Sequence, residues 1–333
     1  MIRILKPQAK LWLTEGISQE QFEAHVARCA RVCYASERNT GNHEMVERLN
    51  NSNHRSMFRH WPMYFSVPRE VFVNYFGYGE FFKNCPYIRI AEKGSKYLIS
   101  TNYHYVLDHP EYFSFLQQFQ ITPSEMAKLE PKLLRFTFYL TTQISTTREL
   151  NRVSPNNIAE ESTRYCNYSL DKFDGEVALC QPHWFELWET EAGNEVYPEG
   201  QVIHYDEVNH EFYLVNEKEE YVKIAPMDDM GIWVKKYSYG YVERYLQKFA
   251  RNAREYLEDL EDYHVEPQDA RGELHLDTAT HVVYSYFLDE WQHIIDLRFN
   301  GTTGKPHPNA KLIVGKIYQL LQSYFAENNI RTV

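Results

Sequence analysis

Cysteine is scarce in this chain. The five present (Cys29, Cys33, Cys85, Cys166, Cys180) are an odd set with no Cys-x-x-Cys pair. That argues against a disulfide framework and sets a reduced, cytoplasmic location as the expectation. Long apolar runs are missing as well: none approaches the roughly 18 residues of a membrane span. The start, Met1 to Pro7, lacks the apolar stretch of a secretory signal, so no membrane association is expected. There is no GxGxxG turn, no Walker loop and no GxSxG elbow. The histidine pairs His54/His60, His204/His210 and His275/His281 fit no standard zinc spacing, and no metal is expected. Basic residues are outnumbered, 35 Lys and Arg against 46 Asp and Glu, for a net charge of −11. A duplex-binding surface is therefore not expected, and nucleic acid is set aside as a partner. A small anionic ligand needs only a local arginine cluster and is compatible with that balance.

What is present is globular. Over 333 residues, 43% are apolar and 15% aromatic, with 26 tyrosines, enough for a sizeable core. Helical spacing predicts an amphipathic helix from Gln19 to Tyr34 through Phe22, Val26, Cys29, Ala30 and Cys33. Met63 to Val67 lead into Pro68, and Glu70 to Phe76 read as a helix start with the proline just outside it. Strict alternation of Leu134, Phe136, Phe138 and Leu140 predicts a strand over Leu134 to Thr142. A short helix from about Thr146 to Arg152 follows, stopped before Pro155. The longest apolar stripe predicts a helix over Tyr241 to Leu260, and further helices are expected over Thr278 to Leu297 and Asn309 to Ala326. Residues 185–230 carry acidic side chains throughout; within them Phe212 to Val215 and Tyr221 to Ile224 read as strands joined by a turn. We expect one domain over 1–333, with 185–230 an acidic, β-rich insertion serving as a solvated face.

Three clusters carry chemistry. The first runs from Arg148 to Tyr168, with Arg148 and Arg152 four apart on a helix and Ser162 and Arg164 two apart, on one side if extended. A hydroxyl beside a guanidinium fork suits a phosphate monoester, although the same arginines could simply pair with Glu149, Glu160 and Glu161. The second holds Arg271, His293 and Arg298; the last two, five apart, diverge by about 140° on a regular helix. In the third, His60 beside Trp61 suits either stacking on a flat heterocycle or a satisfied, half-buried histidine.

Together these pieces resemble the flavin-dependent thymidylate synthases, whose signature is Arg-His-Arg, seven or eight residues, then Ser-x-Arg-Tyr. The closing half stands here as Glu160-Glu161-Ser162-Thr163-Arg164-Tyr165, while the opening triplet reads Arg152-Val153-Ser154. Ala30 to Tyr34 looks like the family's first helix, Phe58-Arg59-His60 like its Phe-Glu-His element, and Ile99 to Tyr103 like its strand-to-helix turn. Ala270-Arg271 resembles its Ala-Arg-x-x-Leu, and Trp291 to Arg298 its late helix ending in Leu-Arg. The likeness spans 1–184 and 231–325.

The resemblance implies an α/β fold with an antiparallel-containing sheet and long helices, a homotetramer with sites between subunits, and FAD. The implied reaction converts dUMP to dTMP with methylenetetrahydrofolate and NADPH, without a cysteine nucleophile. By matched position, Arg152, Glu161, Ser162, Thr163, Arg164, Arg271 and Arg298 bind the nucleotide, and His60, Arg152, Glu160 and His293 lie by the flavin. Ser162 and Arg298 belong to the catalytic set, Ser162 as a positioning hydroxyl and not as an attacking one. Val153 and Ser154 replace the family's histidine and second arginine, both on the flavin side, Arg59 replaces an acid, and Phe287 and Asp289 fall where some members have Asn and Arg. The alternatives are C5-methylation or hydroxymethylation of another pyrimidine nucleotide such as UMP, and a nucleotide-binding protein without catalysis.

Overall fold

The computed structural model describes residues 1–34, 40–77, 85–152, 157–186, 202–215, 220–224, 233–234 and 237–330. The fold is mixed α/β, with mostly antiparallel sheets and many helices. Its strands in chain order are β1 (Ile2–Leu5), β2 (Gln8–Trp12), β3 (Pro62–Pro68), β4 (Arg89–Lys93), β5 (Lys96–Asn102), β6 (Gln120–Ile121), β7 (Arg135–Gln143) and β8 (Ile158–Glu160). They continue as β9 (Ala178–Cys180), β10 (Phe185–Glu186), β11 (Ile203–Asp206), β12 (Glu211–Val215), β13 (Tyr221–Ile224), β14 (Trp233–Val234) and β15 (Ala279–Phe287).

The sheet that positions the site has the order β2-β7-β15-β8, all antiparallel. β15 pairs with β7 along its whole length, from Ala279 opposite Gln143 to Phe287 opposite Arg135. Phe136, Phe138 and Leu140 of β7 face one way, as their alternation requires, and pack with Val282, Tyr284 and Tyr286 against the helices Leu288–Ile295 and Pro308–Glu327. Trp291 seals that core and donates its indole N–H to the Phe136 carbonyl at 3.0 Å. On the other face, Trp12, Ala159 and Val283 meet Cys29 of the helix Gln19–Tyr34. The sheet thus lies between two helical layers.

A second antiparallel sheet, β4-β5-β3-β6, packs its apolar face on the helices of the first 120 residues. The third, β13-β12-β11-β1-β9, is antiparallel except for the parallel β1–β9 pair. It buries Ile2, Ile4, Ile203, Tyr205 and Phe212 against Val242, Leu246, Phe249 and Tyr256 of the helix Tyr239–Glu261. β10 and β14 form a separate two-stranded pair.

The helices expected over Gln19–Tyr34, Tyr241–Leu260 and Asn309–Ala326 form within two residues of those limits, as do the β7 strand and the paired strands β12 and β13; the turn expected between those two lies outside the described residues. Three readings need correction. Thr278 to Leu297 is no single helix: residues 279–287 form β15, and only Leu288–Ile295 is α-helical. The strand is buried on both faces, so its apolar residues run on without the alternation of a half-buried strand. The short helix spans Ile144–Leu150, so Arg152 lies beyond its end. Ser162 to Cys166 is a turn and not an extended segment, since the Tyr165 and Cys166 amides both donate to the Ser162 carbonyl. In addition, the hairpin does not stand free in solvent: β12 pairs with β11, and β11 with β1.

Candidate functional site

The short helix Ile144–Leu150 is the organising element. Its opening amides are capped from the segment before β15: Ile144 donates to the Thr278 carbonyl at 3.1 Å and Ser145 to that of Leu276 at 3.0 Å. Thr147, buried in the next turn, donates from Oγ1 to Glu160 Oε1 at 2.8 Å. Asn151 and Thr280 also hydrogen-bond that carboxylate. Asn151 is itself held through its Oδ1, which accepts from the Tyr284 hydroxyl at 2.6 Å. Burial pushes the Glu160 pKa up, and the neighbouring Glu161 charge adds to this; the three hydrogen bonds pull it back, and the net direction is upward.

The same helix holds Arg298. Its Nε donates to the Glu149 carbonyl at 3.0 Å and its Nη2 meets the Glu149 carboxylate at 3.2 Å. Arg298 lies in a π-helical turn, Asp296–Asn300, which winds wider than an α-helix. The 100° per residue behind the expected divergence of His293 and Arg298 therefore does not apply to this segment. Arg152 is exposed, three residues past Glu149.

Glu161 faces the other side of β8. Its buried carboxylate meets His281 Nδ1 at 2.8 Å, and its amide donates to the His281 carbonyl at 2.8 Å. His281 stacks on Tyr139 (5.6 Å between centroids), Tyr139 on Trp12 (5.0 Å), and the Arg28 guanidinium caps the Trp12 ring at 3.5 Å. This ladder crosses three strands and ends on the residue beside Ser162. The Ser162 amide donates to the Cys33 carbonyl at 3.0 Å, and its Oγ accepts from the Arg164 amide at 3.3 Å. Cys33 touches this segment, yet burial and the nearby Glu160 charge push its thiol up to about 11, far from a thiolate at neutral pH.

The other expected site residues sit as follows. Thr163 is half-buried in the turn, and Arg164 is exposed beside the Tyr165 ring. Arg271 is exposed in the 3₁₀ turn Arg271–Glu273, and His293 is exposed on the helix Leu288–Ile295. His60 is 1% exposed, with Nδ1 at 2.8 Å from Ser285 Oγ, which in turn lies 2.7 Å from Thr137 Oγ1, while its buried Nε2 has no hydrogen-bond partner among the described residues. Burial first, then the charges of His25, Arg135 and Arg59, press its pKa down to about 3, so its ring is neutral. Val153 and Ser154 lie outside the described residues. The chain thus gathers Glu160, Arg298 and the approach to Arg152 at one helix end, and leaves Arg164, Arg271 and His293 on its surface.

Sequence reading missed Thr147, Asn151 and His281. Thr147 and Asn151 stand four apart and share a helical face, a signal that was available. His281 was hidden by the helical reading of β15.

The family profile described as thymidylate synthase complementing protein matches residues 132–325. That is more than half of the chain, and the chain belongs to this family, the flavin-dependent thymidylate synthases. The match includes Arg152, Ser162, Arg164, Arg271 and Arg298 and runs across the acidic stretch; the likenesses noted at 30–34, 58–60 and 99–103 lie outside it. Among solved structures the chain is similar to a UMP/dUMP methylase, PolB, from Streptomyces cacaoi bound with 5-Br UMP, at 14% identity, TM-score 0.39, covering 98% of this chain and 92% of that one. The same protein with 5-Br dUMP gives 15%, 0.40, 97% and 93%. Thymidylate synthase X from Helicobacter pylori with FAD and dUMP gives 14%, 0.34, 63% and 83%. No curated protein matches the chain.

Proposed function

We propose that this protein is an FAD-dependent pyrimidine-nucleotide C5-methyltransferase acting on dUMP, with methylenetetrahydrofolate and NADPH as co-substrates. The observation that carries the reading lies inside the family-matched stretch. One short helix ties together Glu160, through Thr147, and Arg298, through Glu149, two parts of the family pattern far apart in the chain. Arg152 stands two residues past the end of the same helix. Membership of the family supports methyl transfer to a pyrimidine nucleotide; the choice of dUMP, FAD and reductant is our own extension.

In this reading Arg298 presents the edge of its guanidinium not taken by Glu149 to the pyrimidine and its substituents. Ser162 Oγ, fixed by the turn that follows it, positions the nucleotide, with Glu161 and Thr163 shaping the same segment. The exposed Arg152, Arg164 and Arg271 close on the phosphate, the last two across subunits of a homotetramer. Glu160, held in place by Thr147, stands beside the pyrimidine and the flavin in this reading. The donor set suits a flavin in part. Exposed Arg152 and His293, with Glu160, would hold it, while sealed His60 supports Ser285 from behind. When bound, FAD supplies the redox chemistry that a methylene-to-methyl transfer requires.

We also propose that residues 185–230 elaborate the same domain. β11 and β12 share a sheet with N-terminal β1 and a core with the helix Tyr239–Glu261.

The test is an absorbance spectrum after FAD addition, with calorimetric titrations of dUMP and UMP into wild type and Arg298→Ala. We expect a bound-flavin peak, dUMP bound more tightly than UMP, and a loss of about tenfold or more in the variant. A protein that binds neither nucleotide contradicts the reading.

A further inference from the structure

Arg298 opens onto a hollow of about 620 Å³, within the size range of ligand sites. Its wall includes Glu149, Arg298, Thr303, Lys305, His307 and Pro308. Two fixed cations and an imidazole line it against a single carboxylate, and that carboxylate is already engaged by Arg298 at 3.2 Å. In a chain of net charge −11, this is a local positive site.

The hollow is built by a tightly folded loop. The Thr302 amide donates to the Asp296 carbonyl at 3.0 Å, and that of Gly304 to the Gly301 carbonyl at 3.1 Å. Gly301 has φ +74°, and a Cβ there would stand 2.9 Å from the Gly304 oxygen and 3.0 Å from Pro306 Cδ. The loop therefore returns closely on itself before the helix Pro308–Glu327 begins, with the Lys311 amide on the His307 carbonyl at 2.9 Å. Lys305, Thr303 and His307 are all exposed on it.

We propose that this hollow is a phosphate-monoester subsite in which the Lys305 ammonium, the Thr303 hydroxyl and the His307 ring receive a dianionic group whose remaining part reaches Arg298. A compact ammonium with a hydroxyl and an imidazole donor matches the oxygens of a phosphate, and the nearby guanidinium adds a directed fork. The inference rests on the reading above only in taking Arg298 to face the nucleotide. Two sources share this chemistry: the 5′-phosphate of the pyrimidine nucleotide, which would then sit here in place of Arg152, Arg164 and Arg271, and the 2′-phosphate that distinguishes NADPH from NADH.

The experiment titrates wild type, Lys305→Ala, Lys305→Arg and His307→Gln with dUMP, deoxyuridine, NADPH, NADH and inorganic phosphate. Thermal melts confirm that each variant is folded. If the source is the nucleotide, Lys305→Ala weakens dUMP by about tenfold and leaves deoxyuridine unchanged, and Lys305→Arg restores most of the loss. If it is the reductant, Lys305→Ala erases the preference for NADPH over NADH and leaves dUMP unchanged. A wild type that binds inorganic phosphate through Lys305 but no pyrimidine nucleotide supports the subsite and sinks the proposed function. Affinities for all five probes that do not change in Lys305→Ala and His307→Gln overturn the subsite.

Discussion

Thr147 donates its hydroxyl to Glu160 at 2.8 Å, joining a helix that follows β7 to the acid at the end of β8. Removing the donor while keeping the shape isolates that link. Thr147→Val leaves a desolvated carboxylate one hydrogen bond short and should lower stability by about 1–3 kcal/mol. It should also raise the nucleotide Kd, because Glu160 is freed to turn. Denaturant melts and dUMP titration check the two effects; a stability loss with unchanged Kd would separate Glu160 from the ligand.

Arg298 is held by Glu149 through both Nε and Nη2, so its planar fork has one orientation. Lysine keeps the charge and loses the fork. Arg298→Lys should weaken dUMP by about tenfold or more while changing Tm by no more than a few degrees, since the ion pair is partly solvated. Calorimetry beside thermal melts reads both.

His60 ties stability to acid. Its folded pKa is about 3, below the ordinary 6.5, so the unfolded chain takes up a proton that the native state refuses. The contribution is fully present above pH 6.5 and drains away as pH falls toward 3, up to about 5 kcal/mol over that window. His25, at about 4 for the same reason of burial, acts in the same direction. His60→Asn should flatten the fall of stability between pH 6.5 and 4, measured by denaturant melts across the range.

Glu160 has the opposite sign. Its folded pKa is raised, so the native state holds the proton more tightly and the associated stability is lost as pH rises above the ordinary carboxylate value. Glu160→Gln should match wild type in Tm at pH 4 and gain on it toward pH 8, while its methyltransferase activity drops. A pH series of melts with activity at neutral pH distinguishes this from simple damage.

Local pattern carried much of this protein. The alternation of Phe136, Phe138 and Leu140 and the stripe of Tyr239–Glu261 each lie within one element and were legible. β15 was not, because its neighbours β7 and β8 supply the pairing, and a strand buried on both faces has no polar side to mark its period. The joining of β11 to β1 sets Tyr205 opposite Ile2, a contact between residues far apart in the chain that no local signal encodes. In the candidate site, Glu160, Ser162 and Arg298 were singled out by resemblance. Their anchors were missed: the four-residue spacing of Thr147 and Asn151 marks a shared face but not the contact to Glu160, and the role of His281 arises only from the pairing of β15 with β8.

The central claim is methyl transfer to C5 of a pyrimidine nucleotide. It is tested most directly by tritium release from 5-tritiated dUMP in the presence of FAD, NADPH and methylenetetrahydrofolate, with Arg298→Ala as the control. The account predicts release to water that requires added flavin, with dTMP as product, and that falls at least about tenfold in the variant. Bound dUMP with no tritium released, from it or from UMP treated alike, would contradict the account.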